Sequence, residues 1–190
     1  MTERHLFEPG PAEEKLIAAL DARIRENAEW IARFLTENHR FVTAAESLTG
    51  GMISASLVDI PGSSNWFSDG FVTYSDGAKA KRLGVDPILI SRKTAVSAEV
   101  GLAMARGALE RSGADYAAAV TGLAGPFFDE NGAEYPLPPC HEPGLVFVAC
   151  ACAAGAAVRR FVFTGSRTAI RKKTNLAALV MLKKMMQNML

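Results

Sequence analysis

Residues 41–51 read FVTAAESLTGG and decide the fold. The first five, Phe41 to Ala45, are apolar or β-branched and predict a short buried strand. An apolar stretch from Met52 to Val58 follows, predicts a helix, and ends at Asp59-Ile60-Pro61-Gly62. Residues 46–51 are therefore expected to form a strand-to-helix turn, the kind of connection from which α/β folds are built.

The rest of the chain alternates in the same way. A helix over 12–38 is predicted from apolar residues at helical spacing, which are Leu16, Leu20, Ile24, Ala28, Ile31 and Leu35. The other expected elements are strand 70–74, helix 76–83, helix 98–111, strand 116–120, a proline-rich loop over 127–143, strands 145–153 and 157–163, and helix 167–189. This order predicts an α/β fold with helices on both faces of one mixed sheet, as a single domain over 12–190 behind a tail of residues 1–11.

Composition narrows the class of protein. Of 190 residues, 49% belong to the set AVILMFWYC and 22% are charged, which excludes a disordered or coiled-coil chain. The 21 basic and 20 acidic residues leave a net charge of +1, so nucleic acid is not an expected partner. No apolar run approaches the roughly 18 residues of a membrane span, and the charged start does not resemble a secretory signal. A cytoplasmic protein without membrane contact is expected.

Cysteine and histidine are too scarce for the commonest kinds of site. The three cysteines, Cys140, Cys150 and Cys152, cannot form a disulfide framework, and without a second Cys/His pair they predict buried apolar residues rather than metal ligands. None of the three histidines falls in a turn with other polar candidates. The phosphate-binding motifs of P-loop and Rossmann folds are absent from the sequence. We expect no metal site.

The turn at 46–51 is the most informative polar segment. It places Ser47 and Thr49 at the end of a buried strand and before a helix, where unpaired backbone N–H groups stabilise an anion. Gly50 and Gly51 would let a substrate approach the main chain. Ser47 is therefore a candidate nucleophile. The alternative, that Ser47 or Thr49 is simply the N-cap of the helix, is open at this point because both residue types are favoured caps.

A serine nucleophile needs a base, and without a histidine the candidates are Tyr74 and Lys79. Tyr74 ends a predicted strand and Lys79 lies one turn into the next helix, so the two side chains could converge. Free Lys and Tyr titrate near about 10, so burial or a nearby cation would have to lower the pKa of either. A core tyrosine and a solvated lysine are the structural alternatives.

A basic cluster opens the last helix: Arg167, Arg171, Lys172 and Lys173. Cations at a helix N-terminus oppose the helix dipole, and a bound carboxylate or phosphate would reverse that repulsion. The cluster therefore indicates either an anion site or a solvated basic face.

Nine motifs in one order connect these segments to a known family. They are A-E-S-x-T-G-G at 45–51, P-G-S-S-x-W-F at 61–67, G-F-V-T-Y-S-x-x-A-K at 70–79, L-G-V at 83–85, A-V-S at 95–97, M-A-x-G-A-L at 104–109, A-D-Y-A at 114–117, T-G-x-A-G-P at 121–126 and F-x-G-x-R at 163–167. In this series the chain resembles the CinA carboxy-terminal domain family, which includes stand-alone nicotinamide mononucleotide deamidases. The resemblance covers residues 12–190.

The resemblance implies a three-layer α/β/α sandwich, a homo-oligomer, and hydrolysis of the carboxamide of nicotinamide mononucleotide, a small anionic nucleotide, to the acid and ammonia. It implies that Ser47 is the nucleophile, that Tyr74 and Lys79 activate it, and that Arg167 holds the phosphate or carboxylate end of the substrate. The N–H groups of Thr49, Gly50 and Gly51 would then stabilise the oxyanion, and Thr121, Gly122 and Gly125 would form another wall. No metal and no organic cofactor are required.

Three departures from the family pattern surround this predicted site. Leu48 stands where the family usually has cysteine, Ser166 replaces the aspartate of a G-D-R motif, and a longer proline-rich loop at 127–143 replaces a glycine-rich turn. A nucleotide amidase, an amidase with a changed substrate, and a catalytically silent binding or oligomeric module all remain open on the sequence. The joint presence of Ser47, Tyr74 and Lys79 argues for an enzyme.

Overall fold

A computed structural model describes residues 10–125 and 141–190. Its five strands are β1 (Val42–Glu46), β2 (Phe67–Val72), β3 (Tyr116–Gly122), β4 (Leu145–Cys152) and β5 (Gly155–Val162). Its α-helices are α1 (Pro11–Asn38), α2 (Met52–Val58), α3 (Asp76–Leu83), α4 (Pro87–Lys93), α5 (Ala98–Ser112) and α6 (Arg167–Met186), with a short 3-10 helix at Ser63–Asn65. Most of the predicted 127–143 loop, with Cys140, lies outside the described residues, as does most of the predicted tail.

The strands form one mixed sheet in the order β2-β1-β3-β4-β5. β1 lies between β2 and β3 and runs parallel to both, whereas β4 and β5 are antiparallel to their neighbours. Every residue of β1 is buried, as expected for a strand that is covered on both faces. Glu46 pairs with Val72 on one side and Val120 on the other, so β1 and β2 end together and β3 ends two residues later at the same edge. The residue that follows β1, Ser47, therefore leaves the sheet at its carboxyl edge, where open α/β sheets bind ligands.

Helices cover both faces of the sheet. On one face α1, α2 and α6 bury a core that includes Ile31, Leu57 and Leu182, and on the other face α3, α4 and α5 bury a second core around Val100 and Met104. Alternate residues of β1 point into the two cores, as the two-residue period of a strand requires. The predicted three-layer α/β/α sandwich with a mixed central sheet is confirmed.

Several predicted bounds shift by one to three residues, and two elements, α4 and β2, differ in ways that matter here. The helix α4 was not predicted, because seven residues are too few to show a repeating helical pattern in the sequence. Asp86 caps it by accepting a hydrogen bond from the Ile88 N–H at 2.8 Å. The strand β2 was predicted at 70–74, so its start was placed three residues too late and its end two residues too late. Among the described residues its only partner strand is β1, so the pairing from Phe67 to Val72 fixes where it ends and leaves Thr73 and Tyr74 outside the sheet.

Close packing between α5 and the end of α3 sets the position of α3 in the second core. A Cβ atom on Gly107 would lie 2.0 Å from the carbonyl oxygen of Leu83, the last residue of α3. Only a glycine therefore allows α5 to approach α3 this closely.

We expect Gly107→Ala to lower the free energy of unfolding by at least about 2 kcal/mol, because the new methyl group must displace backbone. Urea unfolding followed by circular dichroism measures this change. Gly77→Ala in α3 is the matched control: a Cβ there meets nothing within 4 Å, and higher helix propensity should stabilise the chain by about 0.5–1 kcal/mol. Equal unfolding midpoints for the two variants would contradict the packing argument.

Candidate active site

The turn after β1 is fixed at both ends. The N–H of Ser47 donates to the carbonyl of Val120 at 3.1 Å, which ties the turn to β3, and the N–H of Gly50 donates back to the Ser47 carbonyl at 3.1 Å. Gly50 and Gly51 have φ angles of +62° and +100°, a left-handed backbone conformation that residues with a side chain rarely adopt. The two glycines of the sequence motif are thus required by the backbone of the turn.

A buried carboxylate caps α2. Glu46 is fully buried, and its carboxylate accepts hydrogen bonds from the N–H groups of Gly51 at 2.9 Å, Ile53 at 3.0 Å and Ser54 at 2.8 Å, and from the Ser54 hydroxyl at 2.7 Å. Such charge-assisted bonds at a helix N-terminus are stronger than neutral ones. The alternative in which Ser47 or Thr49 caps α2 is therefore wrong, because Glu46 performs that role. The carboxylate stands at the first position of the turn, but its residue type alone did not reveal this function.

Lys79 is buried against the same turn. Its side chain is 1% exposed, and its Nζ lies 3.3 Å from Ser47 Oγ, 3.1 Å from the Thr73 carbonyl oxygen and 3.4 Å from the Tyr74 carbonyl oxygen. The structural alternative of a solvated lysine is therefore wrong. The structure brings Ser47 and Lys79 into direct hydrogen-bonding contact.

Burial lowers the pKa of Lys79 below its usual value, because the charged ammonium loses its hydration. The carboxylate of Asp76, three residues earlier in the first turn of α3, acts in the opposite direction and raises that pKa, but its effect is the smaller one. The net result is an amine beside the Ser47 hydroxyl whose pKa lies below that of a solvated lysine.

Tyr74 and Arg167 meet at the surface beside this pair. The Arg167 Nη2 donates to the Tyr74 hydroxyl at 3.1 Å, and Tyr74 is 61% exposed, so the alternative of a core tyrosine does not hold. Within the described residues, Tyr74 contacts Lys79 through its main-chain carbonyl, and no hydrogen bond joins its hydroxyl to Lys79 or Ser47. The structure therefore pairs the predicted activator Tyr74 with the predicted anion-binding residue Arg167.

The basic residues at the start of α6 each have a separate partner. Arg171 donates from Nε to the Leu48 carbonyl at 3.0 Å and from Nη2 to the Thr49 carbonyl at 2.5 Å. Lys172 pairs with Asp21, and Lys173 donates to the Thr164 carbonyl at 2.6 Å. Arg171, Lys172 and Lys173 are thus half-buried against separate partners, and of the four cations Arg167 is the exposed one.

The backbone donors that a substrate could use are fewer than the sequence suggested. The N–H groups of Gly50 and Gly51 are already bonded within the turn, which corrects the expectation that both face an oxyanion. Among residues 10–125 and 141–190, no acceptor meets the N–H of Leu48 or of Thr49. The Thr49 side chain is fully buried, and its Oγ1 has no hydrogen-bond partner in the same part of the chain. Next to Ser47, the N–H groups of Leu48 and Thr49 are therefore the donors that have no acceptor in the described part of the chain.

The predicted second wall is placed at the end of β3. The Thr121 side chain is buried, and its hydroxyl donates to the Ala95 carbonyl at 2.6 Å, so it fixes the loop before α5. Gly122 pairs with Val146 in the sheet, and Gly125 ends the described segment. Because β3 is parallel to β1, these residues follow the same edge of the sheet as Ser47.

Two of the cavities on the α1 and α6 side of the sheet border α6. One of about 360 Å³ is lined by residues of α1, α2 and α6, including Asp21 and Asn175, and one of about 570 Å³ lies between α1, β5 and α6. Neither is lined by Ser47 or Lys79, so hydrogen bonding and burial are the features that mark the candidate site. Within the described ranges no cluster of three His, Cys, Asp or Glu side chains could hold a metal ion, and no helix is long and apolar enough to cross a bilayer.

Fold and site together define a three-layer α/β protein with a serine–lysine pair at the carboxyl edge of its sheet, an arrangement suited to nucleophilic chemistry. Residues 24–186 match the family model described as CinA C-terminal domain. The chain belongs to the CinA C-terminal domain family.

Similar proteins fall into two groups by length. The nicotinamide-nucleotide amidohydrolase PncC of Escherichia coli is 40% identical over 160 residues, which are 84% of this chain and 92% of that protein. A CinA-like protein of Geotalea daltonii is 49% identical over 138 residues, which are 73% of this chain and 32% of that protein. The chain thus spans about a third of the length of the CinA-like relatives it matches.

Solved structures of the same family share the fold. The competence/damage inducible protein CihA from Agrobacterium tumefaciens superposes with a TM-score of 0.78 at 38% identity, over 85% of this chain and 94% of that one. A CinA superfamily protein from Escherichia coli gives a TM-score of 0.76 at 30% identity, over 85% and 90% of the two chains.

The effect of Asp76 on Lys79 can be measured directly. We expect Asp76→Asn to lower the pKa of Lys79 further, because the ammonium loses a neighbouring carboxylate and keeps its burial. The chemical shift of the Lys79 ε-carbon, followed by NMR against pH, reports this pKa. Asp86→Asn is the control, since Asp86 caps α4 and asparagine caps as well. An unchanged or raised pKa in Asp76→Asn would contradict the assignment.

Proposed function

We propose that this protein is an amidohydrolase that converts nicotinamide mononucleotide to nicotinic acid mononucleotide and ammonia, with Ser47 as nucleophile and Lys79 as base. The observation that carries the proposal is the 3.3 Å contact between Lys79 Nζ and Ser47 Oγ at the carboxyl edge of the sheet. The similarity to the amidohydrolase PncC, over 84% of this chain and 92% of that protein, supports the substrate. A nucleophile in hydrogen-bonding reach of its base is the signature of covalent catalysis.

Lys79 acts in its neutral form. Because burial lowers its pKa, a larger share of the side chain is unprotonated near neutral pH than for a solvated lysine. The amine takes the proton of Ser47 Oγ as the oxygen attacks the carboxamide carbon. The Thr73 and Tyr74 carbonyls accept hydrogen bonds from Nζ, so they orient the amine and stabilise the ammonium that forms.

The attack produces a tetrahedral oxyanion that needs donors beside Ser47. The N–H groups of Leu48 and Thr49, which have no acceptor among residues 10–125 and 141–190, are proposed to supply them, as the residue after the nucleophile does in other serine hydrolases. The Lys79 ammonium then returns its proton to the leaving nitrogen, the C–N bond breaks, and ammonia departs. Water, with Lys79 again as base, hydrolyses the Ser47 ester and releases the carboxylic acid. The sum of the steps is one amide and one water to one acid and one ammonia.

Arg167 and Tyr74 are proposed to bind the charged end of the substrate. The Arg167 guanidinium uses one N–H on the Tyr74 hydroxyl and has others for a phosphate. This pairing supports a role for Tyr74 in substrate positioning rather than in a proton relay between Lys79 and Ser47. Thr49, Gly50 and Gly51 shape the oxyanion turn, and Thr121, Gly122 and Gly125 are proposed to border the substrate.

The departure at Ser166 does not favour a silent binding module. The Ser166 hydroxyl caps α6 by accepting a hydrogen bond from the Ala169 N–H at 3.2 Å, a role that aspartate also performs. Arg167 is held by Tyr74 without the missing carboxylate. Homo-oligomerisation, a cytoplasmic location and the absence of a cofactor stay predictions.

Ammonia release from nicotinamide mononucleotide tests the proposed pair. We expect Ser47→Ala to lower kcat by about 10³-fold or more and Lys79→Met to lower it by about 10²–10⁴-fold, because one variant lacks the nucleophile and the other the base. Ser112→Ala is the control. Ser112 lies at the end of α5, before the amino end of β3, and so at the opposite edge of the sheet from Ser47. No release by the wild type would remove the substrate assignment, and full activity of Ser47→Ala would remove the nucleophile.

A second prediction concerns Arg167. We expect Arg167→Gln to raise KM for nicotinamide mononucleotide by about 10–100-fold, because a charge-assisted bond to phosphate is lost in ground state and transition state alike. Hydrolysis of nicotinamide riboside, which lacks the phosphate, should change little. Arg159→Gln on β5 is the matched control for the lost charge. If Arg167→Gln impaired hydrolysis of the nucleotide and of the riboside equally, Arg167 would not be the residue that binds the phosphate.

A further inference from the structure

We propose that Arg171 is a positioning residue that aims the Thr49 N–H at the oxyanion by holding the backbone of the turn from behind. The inference rests on the proposed function, since an oxyanion forms only if Ser47 is acylated. Arg171 lies one helical turn after Arg167, so α6 presents two arginines to one edge of the site. The first contacts Tyr74, and the second contacts only main chain among the described residues.

The Arg171 guanidinium donates hydrogen bonds to two consecutive peptide groups. Its Nε bonds to the Leu48 carbonyl at 3.0 Å and its Nη2 to the Thr49 carbonyl at 2.5 Å. The nitrogen atoms of a guanidinium lie in a rigid plane, so two bonds from one fork fix the directions of both carbonyls together. The guanidinium packs closely against the turn, since a Cβ on Gly50 would lie in van der Waals contact with Nη2 at 3.4 Å.

The direction of a carbonyl determines the direction of the next N–H. In a trans peptide the two point to opposite sides, so the bond from Arg171 to the Leu48 carbonyl turns the Thr49 N–H away from α6. The bond to the Thr49 carbonyl does the same for the Gly50 N–H, which reaches the Ser47 carbonyl and closes the turn. The N–H of Thr49 has no acceptor among the described residues, and it adjoins the nucleophile.

Glu46 and Arg171 act on opposite ends of the same turn. The carboxylate occupies the N–H groups of Gly51, Ile53 and Ser54, which would otherwise attract an anion to the start of α2. The guanidinium occupies the carbonyls that precede them. Within the described ranges, the donors of the turn left without an acceptor are those of Leu48 and Thr49, which places the proposed anion site at the two residues after Ser47.

Two variants and a neighbouring control test the role. Arg171→Ala removes the fork, Arg171→Lys keeps the charge without the planar fork, and Lys172→Ala removes a cation from the next position, where the side chain pairs with Asp21 instead. The first readout is the rate at which Ser47 reacts with a small fluorophosphonate, followed by intact mass. That reaction needs the same oxyanion donors as an amide but no nucleotide. The second readout is kcat and KM for nicotinamide mononucleotide.

We expect Arg171→Ala and Arg171→Lys each to lower the labelling rate and kcat by about 10–100-fold, with KM within about threefold, because misplaced donors weaken the transition state more than the ground state. Millimolar guanidinium should restore part of the activity of Arg171→Ala. A merely structural loss would not be restored by a denaturant. Lys172→Ala should label at the wild-type rate.

The outcomes separate this inference from the proposed substrate. Labelling of Arg171→Ala at the wild-type rate, or a loss equal to that of Lys172→Ala, would overturn the positioning role. If the wild type labels at Ser47 in an Arg171-dependent manner but releases no ammonia, the positioning role stands and the nucleotide substrate falls. If wild-type Ser47 does not label at all, it is not an activated nucleophile, and both proposals fall.

Discussion

The contact between Lys79 Nζ and Ser47 Oγ is the interaction on which the rest of the site depends. An amine this deeply buried is costly when charged, and burial lowers its pKa accordingly. Since that pKa is lower in the folded chain than in the unfolded chain, the unfolded chain binds more protons between the two values, and the free energy of unfolding rises with pH in that window. Burying Lys79 therefore lowers the free energy of unfolding at low pH, and it places an amine of lowered pKa beside the Ser47 hydroxyl.

The surrounding groups hold Lys79 and Ser47 in contact. The close approach at Gly107 sets α3, which carries Lys79, and the end of the pairing between β1 and β2 turns the carbonyl of Thr73 toward the amine. Glu46 and Arg171 then fix the turn that carries Ser47. Of these groups, only Lys79 contacts the Ser47 hydroxyl. Gly107 and the Thr73 carbonyl act on Lys79, and Glu46 and Arg171 act on the turn that carries Ser47 and the donors beside it.

The fold was predictable because its elements follow simple periods: the strands are apolar runs, and the long helices repeat at helical spacing. The shorter features were not, since α4 has too few turns and the edge strand β2 takes its end from its partner. At the site, residue type identified Ser47 and Lys79 as candidates, but only the fold could show that Lys79 is buried rather than solvated. The role of Arg171 was hidden for the same reason, because its partners are main-chain carbonyls far away in the sequence.

A covalent intermediate on Ser47 is the most direct test of the central claim. Wild-type protein mixed with nicotinamide mononucleotide and quenched in acid within the first turnovers should carry the acyl group of the substrate on Ser47, detected by mass spectrometry of the peptide that contains the turn. The adduct should be absent from Ser47→Ala and should disappear as the substrate is exhausted. Release of ammonia at a normal rate with no adduct at any quench time, together with retained turnover in Ser47→Ala, would contradict a serine–lysine amidase.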